Sequence, residues 1–261
     1  MFFWKKDRIA ILELSGSIGG AVRPGALVPL LRAIEKNRKI RGLVLDIDSP
    51  GGSATASEEL YRAVQRVARV KPVTAYIRGM GASGAYYIAC AAPRIVVLPN
   101  AMVGSIGVII SRPVLAPLME KVGISVGVYK SGPYKDMTSF WRTATPEEDR
   151  RFESLISDTF ERFVEIVAQG RKVEVAKARE WATGEIFSAR RGLSLGLVDE
   201  LGDMEDVLDT MTKQLGIKRR LSYVRQRRPL FRRLFGSMAQ EFVGTVAQTV
   251  EARMQGQVMY R

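Results

Sequence analysis

An α/β fold, with a mostly parallel sheet covered by helices, is the class this sequence predicts, and three observations carry that expectation. Strand-length apolar runs such as "RGLVLDIDS" and "PVTAYI" alternate with stretches of helical spacing such as "GALVPLLRAIEKNRK" and "TASEELYRAVQRVARV". The strand in "RGLVLDIDS" is continuously apolar over Leu43–Leu45, the mark of a strand buried on both faces. The chain is also large enough, at 261 residues and 46% hydrophobic composition, to bury a full core.

The elements follow in order. "IAILELSGSIGG" opens as a strand and ends in glycines, and the helical stretch 25–39 follows it. The strand of "RGLVLDIDSPGGS" is broken by Ser-Pro-Gly-Gly. The next helix carries a capping-box pattern at Thr55 and Glu58 and an apolar stripe at Leu60, Val64 and Val67. After "PVTAYI" come a glycine-rich loop around Ser83 and a short helix through Ala92. "RIVVLP" and "VGSIGVII" read as strand segments, and "VLAPLMEKVG" as a helix. Residues 145–172 predict the clearest helix, with Thr145 as its cap and Pro146 in its first turn. Its stripe of Phe152, Leu155, Ile156, Phe160, Phe163, Val164 and Val167 reads as core or subunit interface. One domain over residues 1–224 and a basic tail over 225–261 is the simplest division.

Composition excludes several chemistries. There is no histidine and a single cysteine, Cys90, so a His-based triad, a zinc or haem site and an internal disulfide are not expected; no metal and no cofactor is. Cys90, in the apolar "YYIACAA", reads as a small core residue. The formal charge is +13. Lys218, Arg219, Arg220, Arg225, Arg227, Arg228, Arg232 and Arg233 form a block with no acid among them. Such a block suits anionic lipid; without an aromatic RNA-binding signature, nucleic acid is not expected as a partner.

Two loops could carry chemistry. "DIDSPGGS" sets Gly51 and Gly52 just past a strand's carboxyl end, the edge where open α/β sheets bind ligands. Asp46 and Asp48 before it read as turn-stabilising, not catalytic. Ser83, flanked by Gly81 and Gly84, precedes a helix whose first amides are free to face a ligand. A serine in that place is also an ordinary N-cap, so both readings stand on the residues alone. As a nucleophile it needs a base other than imidazole, and a lysine held neutral can serve. Lys130 and Lys135, in "YKSGPYKDMTS", are the candidates.

Taken together, "SPGG", "GASGAYYIA", "VGSIGV", "KSGPYKDM" and "GEIFSARRGLSLGLVDELG" resemble, in order and spacing, the SppA-type signal peptide peptidases, over residues 8–216. The resemblance is to the short, single-domain form. It implies a fold of stacked βαβ units like that of the Clp protease subunit and the crotonases. It also implies that Ser83 is the nucleophile and Lys135 the general base, with Lys130 the less favoured alternative. Ser105 would orient the lysine, and the amides of Gly51 and Gly84 would form the oxyanion hole. The implied partners are peptide substrates, such as signal-peptide remnants or unfolded segments, and further copies of the chain in a ring or dome. Within such an assembly the lysine serves its own subunit or a neighbour.

No transmembrane segment or cleavable signal peptide is evident in the sequence, and the "MFFWKKDR" start suits a membrane interface. The tail sets Phe231, Leu234, Phe235, Met238, Phe242 and Val246 on one helical face beside its arginines. A peripheral site at the membrane, or on its cytoplasmic face, is therefore expected; packing on another subunit is the competing role for the tail. Two other functions share these features. A crotonase-like acyl-CoA-binding protein would use the same oxyanion loops without a serine nucleophile, and a membrane-associated scaffold would need only the tail.

Overall fold

The computed structural model describes residues 7–225, so the aromatic start and most of the basic tail lie outside the described residues. Eight strands form one sheet: β1 (Arg8–Ser15), β2 (Ile40–Ser49), β3 (Val73–Ala82), β4 (Arg94–Val97), β5 (Met102–Gly104), β6 (Ile186–Ser188), β7 (Glu200–Leu201) and β8 (Leu221–Val224). The main path runs β6-β5-β3-β2-β1-β8, with β4 pairing β3 and β7. Every pairing is parallel except β5 with β6. A mostly parallel sheet needs helical crossovers and cover on both faces, as the apolar strand runs imply.

Alternation along the strands divides the core in two. Leu12, Leu14, Leu43, Leu45, Ile47 and Ile77 face helices α1 (Pro24–Lys36), α2 (Ala54–Ala68) and α3 (Gly84–Ala89), which contribute Leu31, Leu60, Val64 and Tyr86. On the opposite face Ile9, Ile11, Val44 and Tyr76 pack under Val207, Leu208 and Met211 of α8 (Met204–Leu215). Two short helices, α6 (Val175–Trp181) and α7 (Ala189–Leu195), return the chain to the sheet edge at β6 and β7. Cys90 is buried in the first core, where burial pushes its thiol up to about 12, too high for reactivity.

Three local expectations are corrected. Helix α2 is capped by Ser53, whose Oγ accepts from the Ala56 amide at 3.4 Å, two residues before the anticipated Thr55. Glu58 is consequently free for other partners. The strand expected over "VGSIGVII" stops at Gly104, because Ser105 takes a left-handed φ of 50° and turns the chain off the sheet. The long helix α5 (Pro146–Arg171) has the Thr145 cap, completed as a capping box with Glu148, but its stripe splits in two. Phe163, Val164 and Val167 are buried, whereas Leu155 is 53% exposed.

From 107 to 147 the chain leaves the sheet, carrying the short helix α4 (Ala116–Lys121), and forms an arm. Within that stretch the only buried residue is Ser139. Leu118, Val122 and Ile124 are each more than half exposed, and Tyr129 is fully so.

Candidate active site

The site is built where β2 and β3 end. Their register advances from Ile47↔Ile77 to Ser49↔Gly81, so β3 holds two extra residues there, a bulge. Asp48 pins it: its Oδ1 accepts from the Met80 amide at 3.1 Å, which is the turn-stabilising duty expected of it. Asp46, beside Arg78 and half-buried, is raised by burial and by the nearby Glu13 and Asp48 carboxylates, with Arg78 opposing.

Beyond the bulge, Ser83 sits at φ 52°, ψ −125°, a strained backbone for a residue with a side chain. It occupies the N-cap position of α3, yet its hydroxyl makes no cap hydrogen bond. The ordinary N-cap reading therefore fails on geometry. The backbone amide of Ser83 is instead tied to the Gly104 carbonyl at 2.8 Å, which aligns the serine with the end of β5 and with Ser105. Both serines have positive φ, and both line one cleft of about 1120 Å³.

The glycines beside Ser83 divide their roles. A Cβ on Gly51 would stand 2.7 Å from the Ala82 carbonyl, the Gly84 nitrogen and the Ser83 Cβ, so this loop is pressed directly against the serine turn. The Gly51 amide, however, is spent, donating to Ser49 Oγ at 3.1 Å, and the residue is buried. That speaks against the Gly51 amide as a hole donor. Gly52 and Gly84 line the cleft, and among the described residues neither amide has an acceptor. The two are neighbours, since a Cβ on Gly84 would lie 3.5 Å from the Gly52 nitrogen. Gly52 was visible as the second glycine of "SPGG", but only the Ser49 contact decides between the pair.

One further wall comes from α2, α3 and α5. Tyr87 packs on Phe163 with ring centroids 5.0 Å apart, and Phe160, Arg62, Arg162 and Glu58 complete that side. Glu58 accepts from Tyr87, from Arg62 Nε at 2.5 Å and from Arg162 at 3.2 Å. Burial alone would raise its carboxyl, but these three hydrogen bonds carry it below its ordinary value. Burial and the Glu58 carboxylate push the Tyr87 hydroxyl well above its own. A depressed carboxylate, a raised phenol and two guanidiniums are all poor proton acceptors for a serine.

Neither candidate lysine lines this cleft. Lys130 is engaged, its Nζ reaching Asp136 Oδ1 at 2.6 Å and the Pro133 carbonyl at 2.9 Å, which argues against it as a neutral base. Lys135 is exposed on the arm, and among the described residues its ammonium has no ion-pair partner. Within one chain, then, Ser83, Ser105, Gly52 and Gly84 come together and the lysines stand apart.

A mostly parallel βαβ sheet with a sharp serine turn at its carboxyl edge has the architecture of the Clp-protease-like fold. The comparisons agree: a Clp protease model matches residues 10–114, and a peptidase family S49 model matches residues 65–218. The chain belongs to peptidase family S49. A Synechocystis protein provisionally named a protease is 39% identical over 90% of this chain and 85% of its own length. The chloroplastic serine protease SPPA of Arabidopsis thaliana is 33% identical over 76% of this chain, which spans only 31% of that longer protein. In structure the chain is similar to a membrane-bound stomatin-specific protease, with a TM-score of 0.54 at 16% identity, covering 84% of this chain and 98% of that one.

Proposed function

We propose that this peptidase is a serine endopeptidase whose Ser83–Lys135 dyad is assembled between neighbouring copies of the chain. The observation that carries the reading is the state of Ser83: a hydroxyl held on a strained turn, released from capping, beside two unmatched amides, in a cleft lined by no lysine. Lys135 is the complementary half, an unpaired amine on an arm whose apolar side chains lie open. Burying that ribbon against a second copy gives the arm the cover it lacks and carries the lysine toward a neighbour's cleft.

In the assembled site, the neutral amine of Lys135 takes the Ser83 proton as the oxygen attacks a peptide carbonyl. The developing oxyanion lies against the Gly52 and Gly84 amides, whose donors need no reorganisation at that moment. The ammonium then protonates the leaving amine, and water repeats the cycle on the acyl-enzyme. Ser105 stands beside Ser83 to orient the incoming amine. The aromatic wall of Tyr87, Phe160 and Phe163 suits apolar side chains, which fits signal-peptide remnants and other membrane-derived or unfolded segments. No helix among the described residues is long and apolar enough to cross a membrane, and peripheral contact through the tail is the matching mode of access.

Complementation tests the split site. Ser83→Ala and Lys135→Ala should each lose nearly all hydrolysis of fluorogenic peptides. Equal co-assembly of the two dead variants should then restore about a quarter of wild-type activity, because a random ring regenerates that share of intact pairs. Recovery of none would place the lysine in its own subunit's site, and full activity of either single variant would end the dyad reading.

A further inference from the structure

The arm that carries Lys135 has no hydrophobic core, yet its loop is not loosely held. A chain of alternating charges runs through it. Lys130 reaches Asp136, whose two oxygens are clasped by Arg142 through Nη2 at 2.9 Å and Nε at 3.0 Å. The same guanidinium reaches both oxygens of Glu148, at 2.5 Å and 2.8 Å. Glu148 is 2% exposed and also closes the capping box of α5, accepting from the Thr145 amide at 2.9 Å. Helix α5 in turn is rooted in the core by Phe163, Val164 and Val167. Arg112 stitches the loop from the other side, donating through Nη1 to the carbonyls of Ser139 at 2.8 Å, Arg142 at 3.3 Å and Met137 at 3.4 Å. A continuous strut therefore links the core to the residue next to Lys135.

The strut has a chemical side as well as a mechanical one. Asp136 is adjacent to Lys135 in sequence, and an unpaired carboxylate there would favour the lysine ammonium, the form that cannot accept a proton. Arg142 and Lys130 occupy that carboxylate from both sides. At the start of α5, Glu147 pairs with Arg150 and Arg151, and Arg151 lies 3.9 Å over the Tyr134 ring.

We propose that Arg142 is the positioning residue of the base: by clasping Asp136 and Glu148 together it fixes the loop that presents Lys135 and withdraws Asp136 from that lysine. The inference rests on Lys135 being the base. It is supported by the hydrogen bonds from Arg142 and Lys130 that hold the Asp136 carboxyl well below the usual carboxylate range. Arg142 and the Thr145 amide likewise bring Glu148 down to about 2. Bidentate guanidinium–carboxylate clasps of this kind are directional, so lysine is an imperfect substitute.

The test is the pH dependence of peptide hydrolysis by full-length Arg142→Gln, with assembly followed by native mass measurement. The expected result is an intact assembly, a kcat lower by about ten- to a hundredfold with little change in KM, and an acid limb moved up by about one pH unit. Adding Asp136→Asn to Arg142→Gln should return the limb to its wild-type position while leaving kcat low, because the carboxylate, left with Lys130 alone by the first change, is gone. A kcat loss with an unmoved limb would reduce Arg142 to a purely structural role and overturn the proposal, as would wild-type rates. Should Arg142→Gln not assemble, Arg142→Lys and single Asp136→Asn carry the same test: the first must raise the acid limb and the second must not. Lys135→Ala separates the two ideas. If it is inactive while Arg142→Gln is unimpaired, only the positioning role falls; if it is active, the dyad reading falls first.

Discussion

The sheet body and the arm are one chain held by two kinds of physics. In residues 7–106 the Ser83 turn rests on strands whose side chains, such as Leu12, Leu45 and Ile77, are fully buried, and apolar burial does the holding. In residues 107–147 only Ser139 is buried, and charged clasps centred on Arg142, with the carbonyl grip of Arg112, take the place of a core. On the proposed reading, the nucleophile and its amides are complete within a subunit, whereas the base is presented on a surface that a partner copy would finish. Where function needs rigidity before packing is available, directional ion pairs can supply it.

Substitutions can break that contrast. Leu45→Ala, in the body, should cost about 2–5 kcal/mol of stability through the lost transfer energy and the cavity left behind, read by denaturant unfolding. Leu118→Asp, on the arm, should change subunit stability by less than about 0.5 kcal/mol, since the side chain already faces water, while lowering the assembled mass and with it the activity. A large stability loss at Leu118 would mean that the arm owns a core after all.

Acid sharpens the contrast most finely. The Glu148 carboxyl is depressed in the folded chain, so its contribution is whole above the unfolded value of about 4.3 and is lost as pH falls toward about 2. Pepsin should therefore cut within 107–147 in that window before the sheet body becomes susceptible. Simultaneous cleavage of both regions would show that the arm does not open first.

Much of the body was legible in the sequence because its signals are local. Continuous apolar runs gave the parallel strands, Thr145 and Pro146 marked the start of α5, and the glycines around Ser83 announced a sharp turn. What escaped depends on distant partners. Thr55 looks as good a cap as Ser53 until Glu58 is found bonded to Tyr87 and Arg162 across the cleft. Gly51 and Gly52 are equivalent letters, and only the Ser49 hydroxyl shows which amide is taken. Lys130 and Lys135 differ because Asp136 folds back onto the first. The apolar stripe of α5 has one period throughout, so nothing in it foretells that only its second half packs into the core, beside α3 and α6.

The bare ribbon that includes Leu118, Val122 and Ile124 has a kinetic consequence on the proposed reading. A solitary subunit owns a poised hydroxyl but no amine within its reach, so dilution switches it off without any inhibitor. Initial rates should climb more steeply than the first power of enzyme concentration until the copies have met. A newly made chain would thus be harmless to its surroundings for as long as it travels alone.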